Sequence, residues 1–168
     1  TTYAYDAAGN RASLLDANAF TTIFTYDDLN RLTSIDYPAP DVDASFVYDA
    51  GGNRMNMTDG VGSTQWVYDD LNRPTSVTDP FGGAVGYGYD GQGNRTSLDY
   101  PGAILPIAYA YDDASRLQTV TDWDTLVTTY VFDKGGRLGT VTLPNGIVSS
   151  YVYDDASRLL SLTHIKAS

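Results

Sequence analysis

The chain is 168 residues long and carries a formal net charge of −11, from 21 acidic and 10 basic side chains. It has no cysteine, so disulfides and thiolate metal sites are excluded. No basic cluster is present to neutralise phosphates, which argues against nucleic acid or anionic lipid as a partner, and no apolar run approaches the ~20 residues of a membrane-spanning helix.

Every acidic residue is an aspartate, and lysine occurs only as Lys134 and Lys166. Glutamate and lysine favour helices, whereas aspartate favours turns. With 16 Gly, 7 Pro and 14 Tyr, the composition predicts an all-β chain with almost no helix.

From the N-terminus onward one motif recurs. It comprises Tyr5-Asp6 with Arg11, Tyr26-Asp27 with Arg31, Tyr48-Asp49 with Arg54, and Tyr68-Asp69 with Arg73. Next come Tyr89-Asp90 with Arg95, Tyr111-Asp112 with Arg116, Phe132-Asp133 with Arg137, and Tyr153-Asp154 with Arg158. Successive steps of 21, 22, 20, 21, 22, 21 and 21 residues mean one supersecondary unit copied eight times.

Within each copy a second aromatic precedes the tyrosine position by two residues: Tyr3, Phe24, Phe46, Trp66, Tyr87, Tyr109, Tyr130 and Tyr151. That spacing puts both rings on one face of a strand. Nine residues after the tyrosine stands an apolar residue, from Leu14 through Ile35, Met57, Val77, Leu98, Val120 and Val141 to Leu162. Each copy therefore reads as a β-hairpin. If the tyrosine faces the residue seven positions later, the upstream aromatic faces the apolar position, a favourable cross-strand pair. The other face then carries small or polar residues such as Ser13, Ser34, Ser76 and Thr119.

The turns read as two forms. Copies one, three and five carry Asp-x-x-Gly-Asn-Arg; the others, as in Asp27-Asp28-Leu29-Asn30-Arg31, are one residue shorter. The arginine is expected to reach back to the aspartate or to a neighbouring turn as a bidentate donor. Further turns join the copies, among them Asp79-Pro80-Phe81-Gly82-Gly83 and Pro144-Asn145-Gly146. Sixteen strands exceed the ~10 that an open sheet holds without curling, so a strongly curved or spiralling sheet is expected, with its aromatic face shielded. The stretch 1–168 reads as a single array, a segment or processed product of a longer repeat protein.

In the stretches Tyr5 to Arg11, Tyr26 to Ile35 and Tyr89 to Arg95 the sequence resembles the YD-repeat, or Rhs-repeat, family, and all eight copies share the likeness. That family includes bacterial Rhs toxins, toxin-complex shell subunits, wall-associated proteins and teneurins. The resemblance implies β-hairpins winding into a hollow shell, often around a toxic C-terminal domain. It also implies a scaffold role for the Tyr-Asp and Arg positions. Family shells use more than eight copies, so a segment of such a wall is expected here. Asp79-Pro80-Phe81-Gly82 is similar to the family's self-cleavage signature but lies mid-array, where it reads as a connecting turn.

Three other features bear on function. His164, the single histidine, lies three residues from Ser161, which puts the two on opposite strand faces and marks no hydrolase. Paired aspartates such as Asp27-Asp28, Asp69-Asp70 and Asp112-Asp113, with Asp41/Asp43 and Asp122/Asp124, do not match a calcium loop and read as turn caps. Phe20, Phe81 and Trp123, at connecting turns outside the ladder, are the candidates for a glycan or partner contact. The expectation is thus a non-enzymatic structural module, extracellular or at the cell surface, without cofactor or metal. Its partners would be other repeats of the same or identical chains, with toxin cargo in a longer parent. The alternatives are a self-assembling filament subunit using open sheet edges and a glycan- or cell-surface-binding adhesion module.

Overall fold

The computed structural model describes residues 1–166. Among these residues there is no helix, and sixteen strands follow one another in a single open antiparallel sheet whose order is chain order. The chain divides into two compact units, Thr1–Ala84 and Val85–Ser168.

The first unit holds four hairpins. They are β1 (Thr2–Tyr5) with β2 (Arg11–Leu15), β3 (Thr21–Tyr26) with β4 (Leu32–Asp36), β5 (Ala44–Tyr48) with β6 (Arg54–Asp59), and β7 (Gly62–Tyr68) with β8 (Pro74–Thr78). In every one the upstream aromatic stands opposite the apolar position: Tyr3 with Leu14, Phe24 with Ile35, Phe46 with Met57, and Trp66 with Val77. Each such pair contributes roughly 0.2–1 kcal/mol relative to Ala–Ala. The tyrosine, however, faces the residue six positions later, not seven: Tyr5 meets Arg11, Tyr26 meets Leu32, Tyr48 meets Arg54, and Tyr68 meets Pro74. A β-bulge absorbs the odd residue just after the turn, which keeps the aromatic–aliphatic register intact.

The second unit repeats this plan. Its hairpins are β9 (Ala84–Tyr89) with β10 (Arg95–Asp99), β11 (Ile107–Tyr111) with β12 (Leu117–Thr121), β13 (Val127–Phe132) with β14 (Leu138–Thr142), and β15 (Ile147–Tyr153) with β16 (Leu159–Lys166). The facing pairs are Tyr87 with Leu98, Tyr109 with Val120, Tyr130 with Val141, and Tyr151 with Leu162.

A sheet of one layer has no opposing layer to bury its side chains. Among the described residues Ala44 and Leu98 are the buried hydrophobic ones, and no side chain is fully covered. The aromatic face is thus half-buried, where the sequence suggested a shielded one. The opposite face carries Ser13, Ser34, Ser76 and Thr119, which pair with Ala4, Thr25, Val67 and Ala110. It is not purely polar, since Val47, Val67, Val131 and Val152 are each more than half exposed there.

Candidate functional site

The recurrent chemistry sits at the turn that follows each Tyr-Asp. The two turn forms read from the sequence fold into one geometry. In both, the aspartate amide donates to the carbonyl four residues on, and the amide three residues on donates back, as in Asp6 N to Asn10 O (2.9 Å) and Gly9 N to Asp6 O (3.1 Å). Asp27 makes the same pair with Arg31 (3.0 Å) and Asn30 (2.9 Å). The third position always has positive φ, supplied by Gly9 (88°), Asn30 (59°), Gly52 (88°), Asn72 (61°), Gly93 (92°), Ser115 (57°), Gly136 (77°) and Ser157 (62°). Glycine takes that conformation freely, and asparagine takes it at small cost.

What differs is the residue that closes the turn, four after the aspartate. Aspartate Oδ1 accepts backbone amides, and Oδ2 accepts a side chain from that fourth residue. In the Gly-Asn-Arg copies the donor is asparagine: Asn10 Nδ2 to Asp6 (3.0 Å), Asn53 to Asp49 (2.9 Å), and Asn94 to Asp90 (2.9 Å). In the others it is arginine Nε, from Arg31, Arg73, Arg116, Arg137 and Arg158 to their own aspartates at 2.7–2.8 Å. The expected Asp–Arg link therefore holds in five copies. It is corrected at Arg11, Arg54 and Arg95, which stand one residue too far along because asparagine already occupies the carboxylate.

These bonds hold all eight aspartates below their ordinary value of 3.8. For Asp6, Asp49 and Asp90 the largest cause is the asparagine side chain. For Asp112 it is the Arg116 side chain. For Asp27, Asp69, Asp133 and Asp154 it is the backbone amide of the arginine at the fourth position.

The arginines also reach forward, laying the guanidinium on a ring of the following hairpin. In the first unit Arg11 lies on Phe24 (4.1 Å), Arg31 on Tyr48 (4.8 Å), and Arg54 on Trp66 (4.3 Å). In the second unit Arg95 lies on Tyr109, Arg116 on Phe132, and Arg137 on Tyr153, each at 4.8 Å. The two copy types use different rings. Arginine beside asparagine takes the upstream aromatic, whereas arginine bound to aspartate takes the ring of the Tyr-Asp position itself. Arg31 and Arg137 add a hydrogen bond to the next turn, at Asp49 O and Asp154 O (both 3.0 Å). The tyrosines answer in the other direction: Tyr26 donates to Arg11 O (3.2 Å), Tyr48 to Leu32 O (2.9 Å), Tyr68 to Arg54 O (3.0 Å), and Tyr111 to Arg95 O (3.0 Å). Adjacent turns are linked as well, through Asn10 to Asn30 (2.7 Å) and Asn53 to Asn72 (2.6 Å). The triads thus act as clasps between hairpins.

At connecting turns between copies, Asp16, Asp79 and Asp122 build the same turn, their Oδ1 atoms accepting amides two and four residues on at 2.8–3.0 Å. Asp79-Pro80-Phe81-Gly82 is one of these turns. Among the described residues no three His, Cys, Asp or Glu side chains converge on a metal position.

Phe20, Phe81 and Trp123 each lie at one of these connecting turns and are exposed, Phe81 by 84%. Trp123 has a ring neighbour in Tyr100, the two rings nearly perpendicular with centroids 6.4 Å apart. These two, with Ile104, Ile107 and Asp124, line an open groove of about 620 Å³. Sequence reasoning missed a further pair, Ser149 Oγ and His164 Nδ1, 2.8 Å apart. Extending the Tyr151–Leu162 register by two residues would have placed them opposite each other. Ser161 faces Val152 instead. Ser149 is buried, and among the described residues no carboxylate hydrogen-bonds His164, so the pair lacks both access and the orienting acid of a hydrolytic triad.

No helix among the described residues is long and apolar enough to cross a membrane. A search of curated proteins finds no match. Among solved structures the chain is similar to the TcdB2-TccC3-Cdc42 complex and to the Tc holotoxin pore of Photorhabdus luminescens, each at 17% identity and a TM-score of 0.73 over 94% of this chain. TcdB2-TccC3 without its hypervariable C-terminal region matches at 18% identity and a TM-score of 0.72, again over 94%. The chain spans about 10% of the length of each. The family model described as RHS Repeat matches residues 5–42, 68–103 and 111–148, two thirds of the sequence. With that coverage, and the same clasp at copy after copy, the chain belongs to the RHS-repeat family.

Proposed function

We propose that this chain is a non-enzymatic structural module, a stretch of the β-wall of a larger secreted or cell-surface protein that encloses a cargo domain. The observation that carries the reading is the clasp. Every arginine and every Tyr-Asp aspartate of the repeat is engaged within its own turn or with an adjoining hairpin, and none converges on a reaction centre. The fold likeness to Tc toxin structures supports a wall built of many such hairpins. The test uses the longer parent chain. Limited proteolysis should spare an enclosed segment in the intact parent and digest it once residues 1–168 are deleted. Equal protease sensitivity with and without these residues would overturn the proposal.

A second reading is favoured by the groove at Tyr100 and Trp123. Half-exposed aromatic rings beside the Asp124 carboxylate suit a pyranose, which offers a C–H face and hydroxyl donors. Glycan-array binding abolished by Trp123→Ala would support a surface-recognition role for this groove. An array blank for every glycan removes it.

A further inference from the structure

We propose that the groove at Tyr100 and Trp123 selects a cationic amino sugar, a pyranose carrying a protonated amine, over neutral and anionic sugars. The inference rests on the sugar reading of this groove given above and names the class of sugar.

The walls come from two connections at the same end of the strands, β10 to β11 and β12 to β13. On one side Ala103 N donates to Tyr100 O (3.1 Å), closing a turn through Gly102 at φ 79°. On the other, Asp122 Oδ1 accepts the amides of Asp124 (3.0 Å) and Leu126 (2.9 Å), which fixes the backbone that carries Trp123 and Asp124. Two bonded turns thus hold the rings nearly perpendicular (88°) in advance, and ring surface already in place lowers the ordering cost of binding. The volume of about 620 Å³ falls within the ~300–1,000 Å³ of small-ligand sites.

The lining decides the charge of the occupant. Beside the apolar Ile104 (95% exposed) and Ile107 it offers one charged side chain, the Asp124 carboxylate. Among the described residues that carboxylate has neither an ion pair nor a hydrogen bond, and no lysine, arginine, histidine, asparagine or glutamine lines the groove. An anionic sugar would meet like charge there, and a neutral one would give the carboxylate hydroxyl donors alone. An ammonium group gives it a charge-assisted hydrogen bond and is attracted to the face of the Trp123 ring.

The rest of the second unit adds to this field. Arg95, Arg116, Lys134, Arg137 and Arg158 all belong to Tyr-Asp turns, at the opposite ends of the strands. The five-residue strands β11 and β12, at ~3.3 Å per residue, hold those cations roughly 16 Å away, about two screening lengths at physiological salt. The groove end carries Asp99, Asp122 and Asp124, and its one described base, Lys166, ends β16, three strands beyond β13. The chain's own chemistry gives the precedent, since Arg116 and Arg137 each join a carboxylate and a ring through one cation. Those junctions are closed between hairpins around half-buried rings. The groove is open and wide, with room for a pyranose rather than one planar guanidinium.

Calorimetric titration of the chain with three β-1,4-linked trimers tests the inference. Trimers of glucosamine, N-acetylglucosamine and glucose differ at C2 alone, and mildly acidic pH keeps the amine protonated. In salt near ~0.15 M the glucosamine trimer should bind about tenfold more tightly than the other two. Asp124→Asn, which keeps the shape of the side chain, should bring it within about twofold of them, and the neutral trimers then report that the groove is still folded. Trp123→Ala should weaken all three. Asp155→Asn removes the same charge at the opposite end of the strands and should leave the preference intact. Equal binding of the three trimers overturns the amino-sugar class and leaves the sugar reading standing, whereas binding of none removes both. A preference that Asp124→Asn retains, or that Asp155→Asn abolishes as fully, traces to bulk charge and overturns the proposal. Displacement of the bound trimer by a lower concentration of triarginine would assign the groove to a basic protein segment and overturn it as well.

Discussion

At the scale of the residue, the position three after each aspartate sets the turn, and its backbone conformation decides which side chains are tolerated. Gly52 has φ of +88°, and a methyl group there would meet nothing nearer than Arg31 at 4.0 Å, so the cost of a side chain is conformational rather than steric. Gly52→Ala is expected to lose about 1–2 kcal/mol in urea unfolding. Ala19, third residue of the Asp16 turn at φ 63° and with no side-chain hydrogen bond to lose, should accept glycine within about 0.5 kcal/mol. Equal losses for both substitutions would contradict the shared turn geometry. The tyrosine hydroxyl is a separate device. Repeat seven does without it at Phe132, whose ring still lies under Arg116, so ring stacking and hydroxyl donation are separable. Tyr48→Phe should therefore fold normally and cost only the net value of one hydrogen bond to Leu32 O, about 0.5–1.5 kcal/mol by chemical denaturation.

At the scale of the hairpin, the aspartate and arginine work through geometry more than through net charge, because exposed ion pairs are well screened by water. Arg31 binds the Asp27 carboxylate, the Asp49 carbonyl and the face of Tyr48 at once, which a planar guanidinium does and an ammonium cannot. Arg31→Lys is expected to lose about 1–2 kcal/mol despite the retained charge, and a loss near zero would show that charge alone suffices. The depressed aspartate values add a pH dependence. A carboxyl with its folded value below 3.8 stabilises the fold fully above 3.8 and ceases to do so as pH falls through the lowered value. The urea midpoint should thus be level from neutral pH down to about 3.8 and fall below it. Relief of the −11 net charge acts in the opposite sense, so the series belongs in salt high enough to screen it. A midpoint that rises on acidification in salt would contradict the carboxylate network.

At the scale of the whole molecule, most of the fold was legible because the chain repeats itself. The eight hairpins and the aromatic–aliphatic register follow from the spacing of Tyr3, Tyr5 and Leu14 and its copies. The bulge that moves Tyr5 opposite Arg11 did not, since strict alternation carries no mark of an extra residue. Nor did the single turn geometry, because counting back from the arginine hid the constant four-residue offset from aspartate to Asn10 or Arg31. The forward reach of arginine to the next ring is a contact between copies, and a repeat aligned on itself shows only what lies within one copy. A one-layer sheet with two buried hydrophobic residues among those described must be held by such neighbour-to-neighbour links. The most direct test is a double-mutant cycle on Arg31→Ala and Tyr48→Leu, residues that lie in successive hairpins. Non-additivity of about 0.5–2 kcal/mol in urea unfolding is the predicted result, and additivity within about 0.3 kcal/mol would contradict the clasp.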